Sequence, residues 1–258
     1  MTPLQTRLQT SRSHRLAAAL AALLLAAPAI AAERTVNETH PLTNSGRLSL
    51  DNVNGNVEII GWDRDELSLE ASIRGENGKT VDGVEIDVDV KGDRIHIETD
   101  YPDSRGGWGR NWAEVDFKLK VPRGAELAEI SLVNGSLELR GLSGSVEASL
   151  VNGNLDAREL SGSVELSSVN GSVDLTLDRL GAGQRIEIES VNGSIDLRLP
   201  GSSDAEISAE TVHGRIKNDF GIKVEKGEYV GSDMRGTLGN GSARVSLENV
   251  NGSIDIRR

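Results

Sequence analysis

The chain has no cysteine in its 258 residues, which excludes a disulfide framework, a cysteine-based metal cluster and a cysteine nucleophile. Aromatic residues make up only 3% of the chain, so a buried core must be built from aliphatic side chains. Basic residues are also scarce, 28 against 40 acidic ones, which gives a formal net charge of -12. Because nucleic-acid binding relies on an excess of Lys and Arg, this charge balance argues against that class of function.

Long hydrophobic runs are also missing, apart from the 12 apolar residues Leu16–Ala27. That run is shorter than the ~20 residues that a helix needs to span a bilayer. Small residues follow it at Pro28–Ala32, and three arginines precede it: Arg7, Arg12 and Arg15. This arrangement is typical of a secretory signal peptide. We therefore expect residues 1–31 to be removed after Ala31, or one residue later, and the mature chain to be exported.

A repeat dominates the sequence between Val133 and Leu199. Glycines recur there every nine residues, at Gly135, Gly144, Gly153, Gly162 and Gly171. Val-Asn-Gly tripeptides alternate with Leu-Ser-Gly tripeptides around these glycines, so the repeating unit has 18 residues and two unlike halves. Further Val-Asn-Gly copies occur at 53–55, 191–193 and 250–252, and a degenerate copy occurs at 212–214. Such self-similarity indicates stacked coils.

The residues after each glycine alternate between aliphatic and polar, as in Ser136-Leu137-Glu138-Leu139. This period of two predicts half-buried strands and an all-β fold. Asn-Gly between such strands is also typical of hairpins, so a β-sandwich of hairpins is the alternative architecture. The alternation of two corner types favours a β-solenoid, similar to a parallel β-helix, with coils of about 18–22 residues.

In a solenoid the Asn-Gly corners stack in one column, and each asparagine amide can bond the next. We predict a structural turn ladder of twelve residues: Asn54, Gly55, Asn134, Gly135, Asn152, Gly153, Asn170, Gly171, Asn192, Gly193, Asn251 and Gly252.

Stacking also predicts columns of charge on the outer faces. The third position after the Asn-Gly glycine is acidic at Glu138, Asp156, Asp174, Asp196 and Asp255. The fifth position holds Arg140, Arg158, Thr176, Arg198 and Arg257. The other half-repeats place acids without compensation at Glu147, Glu165 and Glu187. These charges keep strands soluble and deter edge-to-edge association, and weak binding of divalent cations is the alternative role.

The organisation that we expect has three parts: the signal peptide at 1–31, an irregular β-rich region at 32–124, and β-strand-repeat coils at 125–258. Residues 42–256 would form one continuous domain. The repeat is broken at 180–185, 212–214 and 225–235, where we expect bulged or looped coils.

Catalytic and metal-binding signals are weak. The histidines of the mature chain, His40, His96 and His213, are far apart and have no zinc-ligand spacing. Asp87 and Asp89 share a strand face, as a glycosidase or a calcium-dependent lyase needs, but an exposed face explains them more simply. We expect no catalytic residue, no metal, no cofactor and no enzyme activity.

One segment, Tyr101–Trp112, departs from the repeat pattern and concentrates aromatic and arginine side chains. Its candidate partner contacts are Tyr101, Arg105, Trp108, Arg110 and Trp112. Exposed aromatics beside arginine suit stacking on sugar rings or anchoring of a protein partner. The alternative is that the tryptophans cover the edge of a sheet.

The Val-Asn-Gly-[Ser/Asn] copies with alternating acidic and hydrophobic residues, and the leading segments 46–55 and 61–67, resemble a large bacterial family. Its members are exported β-strand-repeat proteins usually labelled candidate adhesins, and most have no assigned function. The similarity runs from about Leu42 to Ile256. It implies a β-helical fold and a location in the cell envelope or at the surface, but it carries over no catalytic residue.

We therefore expect a non-enzymatic, adhesin-like or scaffold protein in the periplasm or at the cell surface. Its partner would be an envelope protein or a surface glycan, bound through the charged β-face and the aromatic segment. The alternatives are a carbohydrate-active enzyme on a β-helical frame and, from the resemblance alone, an accessory role in envelope-stress signalling.

Overall fold

The computed structural model describes residues 32–101, 112–227 and 230–258, and these ranges contain 21 strands and one short helix. The first strands are β1 (Ala32–Pro41), β2 (Arg47–Asn54), β3 (Val57–Trp62), β4 (Glu66–Gly75), β5 (Glu85–Lys91), β6 (Arg94–Asp100) and β7 (Ala113–Pro122). The central strands are β8 (Glu126–Asn134), β9 (Leu137–Arg140), β10 (Val146–Asn152), β11 (Leu155–Leu160), β12 (Val164–Asn170), β13 (Val173–Leu177), β14 (Arg185–Asn192) and β15 (Ile195–Arg198). The last strands are β16 (Ala205–His213), β17 (Ile216–Asn218), β18 (Val224–Lys226), β19 (Ser232–Leu238), β20 (Ala243–Asn251) and β21 (Ile254–Arg257). The helix α1 covers Gly78–Asp82 and is capped by Asn77.

Side chains alternate in and out along most of the strands, as the period of two requires. In β12, Val164 and Leu166 are buried, and Glu165 between them is exposed. The buried aliphatic side chains form one cluster that extends from Leu42 to Ile256. Burial of this apolar surface is the main contribution that stabilises the fold.

The strands form two sheets. Among the described residues, the first sheet has ten strands in the order β1-β4-β7-β3-β9-β11-β13-β15-β21-β17. The second sheet has eleven, in the order β18-β19-β16-β20-β14-β12-β10-β8-β2-β6-β5. Each coil gives one strand to each sheet, and the central neighbours pair in parallel. The prediction of an all-β solenoid is confirmed, and the hairpin sandwich is wrong for this central part.

The order of the coils in space differs from their order in the sequence at both ends. The C-terminal coil β20–β21 lies between coil β14–β15 and coil β16–β17. At the other end, β2 lies between β6 and β8 in the second sheet, and β3 lies between β7 and β9 in the first sheet. Antiparallel strands then cover both ends, with β19 against β16 and β4 against β7. These antiparallel strands end the stack, because they carry no corner of the Asn-Gly column on which another coil could stack.

The three predicted irregularities have different outcomes. Leu180–Gln184 is a loop between β13 and β14, and β18 pairs with β19 as an antiparallel excursion. The expectation of a bulge at 212–214 is wrong. His213 stays in register with Asn251, and the Gly252 amide donates to the His213 carbonyl at 3.0 Å. That main-chain bond does not depend on the side chain, so a histidine fits the corner.

The Asn-Gly corners stack in one column along the solenoid. From Asn134 onward, each asparagine Nδ2 donates to the Oδ1 of the asparagine before it in the column, at 2.9–3.0 Å. The spatial order of this ladder is Asn54, Asn134, Asn152, Asn170, Asn192 and Asn251. Beside it, main-chain bonds tie the corners together, such as Gly153 N–H to the Asn170 carbonyl at 3.0 Å. The polar groups of each corner are therefore satisfied by the neighbouring coil.

The corner glycines are required by both backbone conformation and space. Gly153 has a φ of +149°, which side-chain-bearing residues rarely adopt. A Cβ at Gly153 would also collide with the carbonyl oxygen of Gly135 in the adjacent coil. Gly183 provides a contrast, because its φ is +79° but no atom lies within 4 Å of an added Cβ.

We predict that Gly153→Ala lowers the free energy of unfolding by ~3 kcal/mol or more, since strain and a main-chain collision act together. Gly183→Ala, which meets the strain alone, should cost about 1 kcal/mol. Chemical denaturation followed by circular dichroism measures both values. Equal losses in the two variants would contradict the close stacking of the corners.

Candidate functional site

The structure describes only the two ends of the aromatic segment. Arg105, Trp108 and Arg110 lie outside the described residues, whereas Tyr101 and Trp112 lie within them. Trp112 is 47% exposed, and its carbonyl accepts a hydrogen bond from the Glu76 amide at 3.3 Å. About half of the surface of Trp112 is therefore open to solvent.

Tyr101 has a different environment from Trp112. Its ring packs against the core, and its hydroxyl lies 2.9 Å from both the Asn54 carbonyl and Asn52 Oδ1. Burial raises the pKa of Tyr101 to about 12; the hydrogen bond with Asn54 opposes this rise, and the charges of Glu114 and Asp116 add to it. Tyr101 thus holds the first corner of the ladder, which makes it an anchor of the fold rather than a free contact.

The outer face of the second sheet carries the predicted acidic column. Glu147, Glu165 and Glu187 are register partners on successive coils. A second acidic column runs beside it, because Glu189, Glu248 and Glu210 are also in register. Neighbouring carboxylates in each column are separated by about the strand spacing of ~4.8 Å. This second column is not apparent from the sequence repeat, since its acids belong to the less regular coils.

The same face carries an apolar feature that was not predicted from the sequence, and we name it the valine column. Seven valines, each 39–42% exposed, precede the corner residues: Val53, Val133, Val151, Val169, Val191, Val250 and Val212. Counting along β12 could have found them, because Val164, Leu166 and Ser168 point inward and Val169 therefore points outward. The column runs parallel to the asparagine ladder.

The outer face of the first sheet shows charge compensation. Arg140 pairs with Glu138 and Arg158 with Asp156 within their own strands. Arg257 pairs with Asp196 of the adjacent coil at 3.0 Å. The predicted acidic and basic columns therefore lie side by side, as the register of β9, β11, β13, β15 and β21 requires.

Asp174 is the exception in this face, because Thr176 takes the place of arginine in its strand. Burial raises the pKa of Asp174 above its usual 3.8, and the charges of Asp196 and Asp156 raise it further. Arg158 and Arg257 act in the opposite direction without cancelling the rise. The ionised form of Asp174 is thus disfavoured in the folded chain.

The residues considered for catalysis do not converge. Asp87 and Asp89 lie on the edge strand β5 opposite Glu98 and His96, and Asp89 pairs with Lys91 at 2.5 Å. His40 contacts Glu38 at 2.9 Å, and His213 lies at the other end of the solenoid. Across the described ranges, no three His, Asp or Glu side chains are grouped so that they could hold a metal ion. No helix in those ranges is long and apolar enough to cross a membrane.

A family model matches residues 124–257, the region of stacked Asn-Gly coils, and its description is Toastrack DUF4097. The chain belongs to the Toastrack family. This match confirms the resemblance seen in the Val-Asn-Gly motifs. No curated protein matches the chain.

Three solved structures are among those to which this chain is similar. A candidate cell adhesion protein from Clostridium sporogenes is 20% identical, with a TM-score of 0.49, over 87% of this chain and 99% of its own. A candidate adhesin from Bacteroides fragilis is 12% identical, with a TM-score of 0.45, over 86% and 97% of the two chains. A candidate lipid-binding protein from Parabacteroides distasonis is 15% identical, with a TM-score of 0.31, over 86% and 96%.

We predict that Asp174→Asn makes the Toastrack chain slightly more stable at pH 7, by about 1–2 °C in Tm. An acid whose pKa is raised by folding destabilises the folded state at any pH above that pKa. The gain should therefore shrink as the pH falls and vanish below the usual value of 3.8. Thermal melts at several pH values measure it.

Asp196→Asn is the matched control, because Asp196 pairs with Arg257 and should give no gain at pH 7. A lower Tm for Asp174→Asn at pH 7 would contradict the interpretation of this column.

Proposed function

We propose that this Toastrack chain is a non-enzymatic, adhesin-like or scaffold protein exported to the periplasm or the cell surface. Residues 42–256 act as one domain, and residues 1–31 are the signal peptide that directs export. The partner is an envelope protein or a surface glycan.

The observation that carries this proposal is the outer face of the second sheet. It displays the same side chains on successive coils, with glutamates in register and exposed valines beside them. Close stacking of the corners holds these side chains at fixed spacing, so little conformational entropy is lost when a partner binds. A long, rigid and repetitive surface suits binding of an extended partner.

The exposed indole of Trp112 supports a second contact area at the β6–β7 connection. Tryptophan is frequent among the residues that dominate binding energy, and an aromatic face can stack on a sugar ring. Trp108 in the same connection contributes to this contact in our proposal.

The enzyme alternative depends on acids meeting a basic residue in a groove. Such a groove exists beside Arg185, where Glu147, Glu165 and Glu187 also contribute to its lining, but its volume is only about 120 Å³. Ligand pockets usually have volumes of ~300–1,000 Å³, so this groove is too small to enclose a sugar ring and the catalytic groups. At the column of Glu147, Glu165 and Glu187, the surface therefore supports binding better than hydrolysis.

Binding of the fluorescently labelled protein to envelope fractions and to a glycan array tests the proposal. We expect saturable binding, and we expect the double variant Trp108→Ala with Trp112→Ala to weaken it at least tenfold, because the loss of two aromatic contacts usually costs more than 1.4 kcal/mol. The circular dichroism spectrum should stay unchanged.

Val90→Ala serves as the control, because Val90 is a 40% exposed apolar side chain that lies opposite Ile95, at the end of the β5–β6 pair away from the β6–β7 connection. It should leave binding unchanged. Absence of saturable binding, or release of reducing sugar ends from an envelope polysaccharide, would contradict the proposed function. Equal binding by the tryptophan variant would remove the aromatic contact from it.

A further inference from the structure

A groove lies on the second sheet between the valine column and the second acidic column. Its volume is about 410 Å³, and it spans the four coils that contain β12, β14, β20 and β16. One wall consists of Val169, Val191, Val250 and Val212. The opposite wall carries Glu189, Glu248 and Glu210.

The valines of this wall are exposed, whereas the other aliphatic side chains of the same strands are buried in the core. Each has 39–41% of its surface open to solvent, and they follow one another at about the strand spacing of ~4.8 Å. Single exposed valines are ordinary, whereas four in a continuous line beside a groove form the kind of apolar surface that interaction sites use.

The glutamates of the opposite wall define the charge of the occupant. Within the described part of the chain, no Lys or Arg forms an ion pair with Glu189, Glu248 or Glu210. Asp233 of β19 continues the same line, since it is the register partner of Glu210. The groove therefore has one apolar side and one uncompensated anionic side.

This charge pattern excludes two possible occupants on electrostatic grounds. An anionic lipid surface would be repelled by the glutamates. A second copy of this chain, facing the groove with the same surface, would set glutamates against glutamates. A cationic partner with an apolar stripe is complementary on both sides.

The spacing of the coils favours a helix over a strand. Successive turns of an α-helix are 5.4 Å apart, close to the ~4.8 Å between coils, so one side chain per turn can face one valine. Side chains on one face of a strand recur at ~6.6–6.8 Å and lose register within two coils. A helix of about ten residues would cover the ~14 Å between the first and fourth coils.

We propose that this groove binds a cationic amphipathic helix of a partner protein, with leucine-like side chains on the valine column and Lys or Arg on the second acidic column. The inference rests on the proposed binding function and names the partner chemistry of the charged face.

The test measures binding of the purified protein to a 14-residue peptide of leucine and lysine, with leucine at every third or fourth position. Fluorescence anisotropy at physiological salt gives Kd. We expect saturable binding, and at least tenfold weaker binding by the double variant Val191→Thr with Val250→Thr. Threonine keeps the β-branched shape, so the strands remain folded. The double variant Glu189→Gln with Glu248→Gln should weaken binding by a similar factor.

Two control variants separate the groove from general attraction. Val53→Thr with Val133→Thr changes the same column outside the groove. Glu85→Gln with Asp87→Asn removes two charges from exposed positions on the far strand β5. Both controls should stay within twofold of the unchanged protein.

Equal weakening by the controls, or equal affinity for a peptide of scrambled order, would overturn the proposal. Binding to anionic vesicles in place of the peptide would overturn it as well, and so would self-association through the groove. If the peptide fails to bind but envelope binding persists, the groove inference fails while the proposed function stands.

Discussion

The close approach of consecutive Asn-Gly corners is the constraint on which the rest of the structure depends. A glycine such as Gly153 has the positive φ that the corner needs and leaves room for the carbonyl of Gly135. The asparagine amides then bond from coil to coil at 2.9–3.0 Å. No disulfide can assist, because the chain has no cysteine. The stacked corners and the hydrogen bonds between parallel strands together fix the strand spacing, and the spacing fixes every column on the surface.

The two outer faces respond differently to this enforced spacing. On the first sheet, arginines beside the acids reduce the repulsion within the acidic column, and Asp174 shows what happens where the arginine is missing. On the second sheet, acids stack in two columns beside exposed valines. Repulsion between like charges and the exposure of apolar side chains to water both lower the stability of the folded chain. A binding role for this face gives a reason for keeping the arrangement.

The sequence predicted the parts that each repeat determines by itself: the strands, the two faces and the asparagine ladder. The order of the coils could not be predicted. Copies such as Val191-Asn192-Gly193 and Val250-Asn251-Gly252 have the same corner sequence, so the sequence does not distinguish which coil stacks on which. The valine column was also not predicted, since valine in a strand suggests burial until the parity of its position is counted. The role of Tyr101 depends on contacts with Asn52 and Asn54, about 50 residues away, which no local pattern shows.

Cross-linking of introduced cysteines tests the stacking order most directly, since the chain has no cysteine of its own. Val191 and Val250 lie between the register pairs Ser190–Asn249 and Asn192–Asn251, so they lie beside each other on adjacent coils. Val212 lies one coil further, at about twice the strand spacing of ~4.8 Å from Val191. The account predicts that dibromobimane, a short bis-thiol reagent, joins the pair Val191→Cys with Val250→Cys but leaves Val191→Cys with Val212→Cys unlinked. The reverse result would show coils stacked in sequence order and would contradict the account.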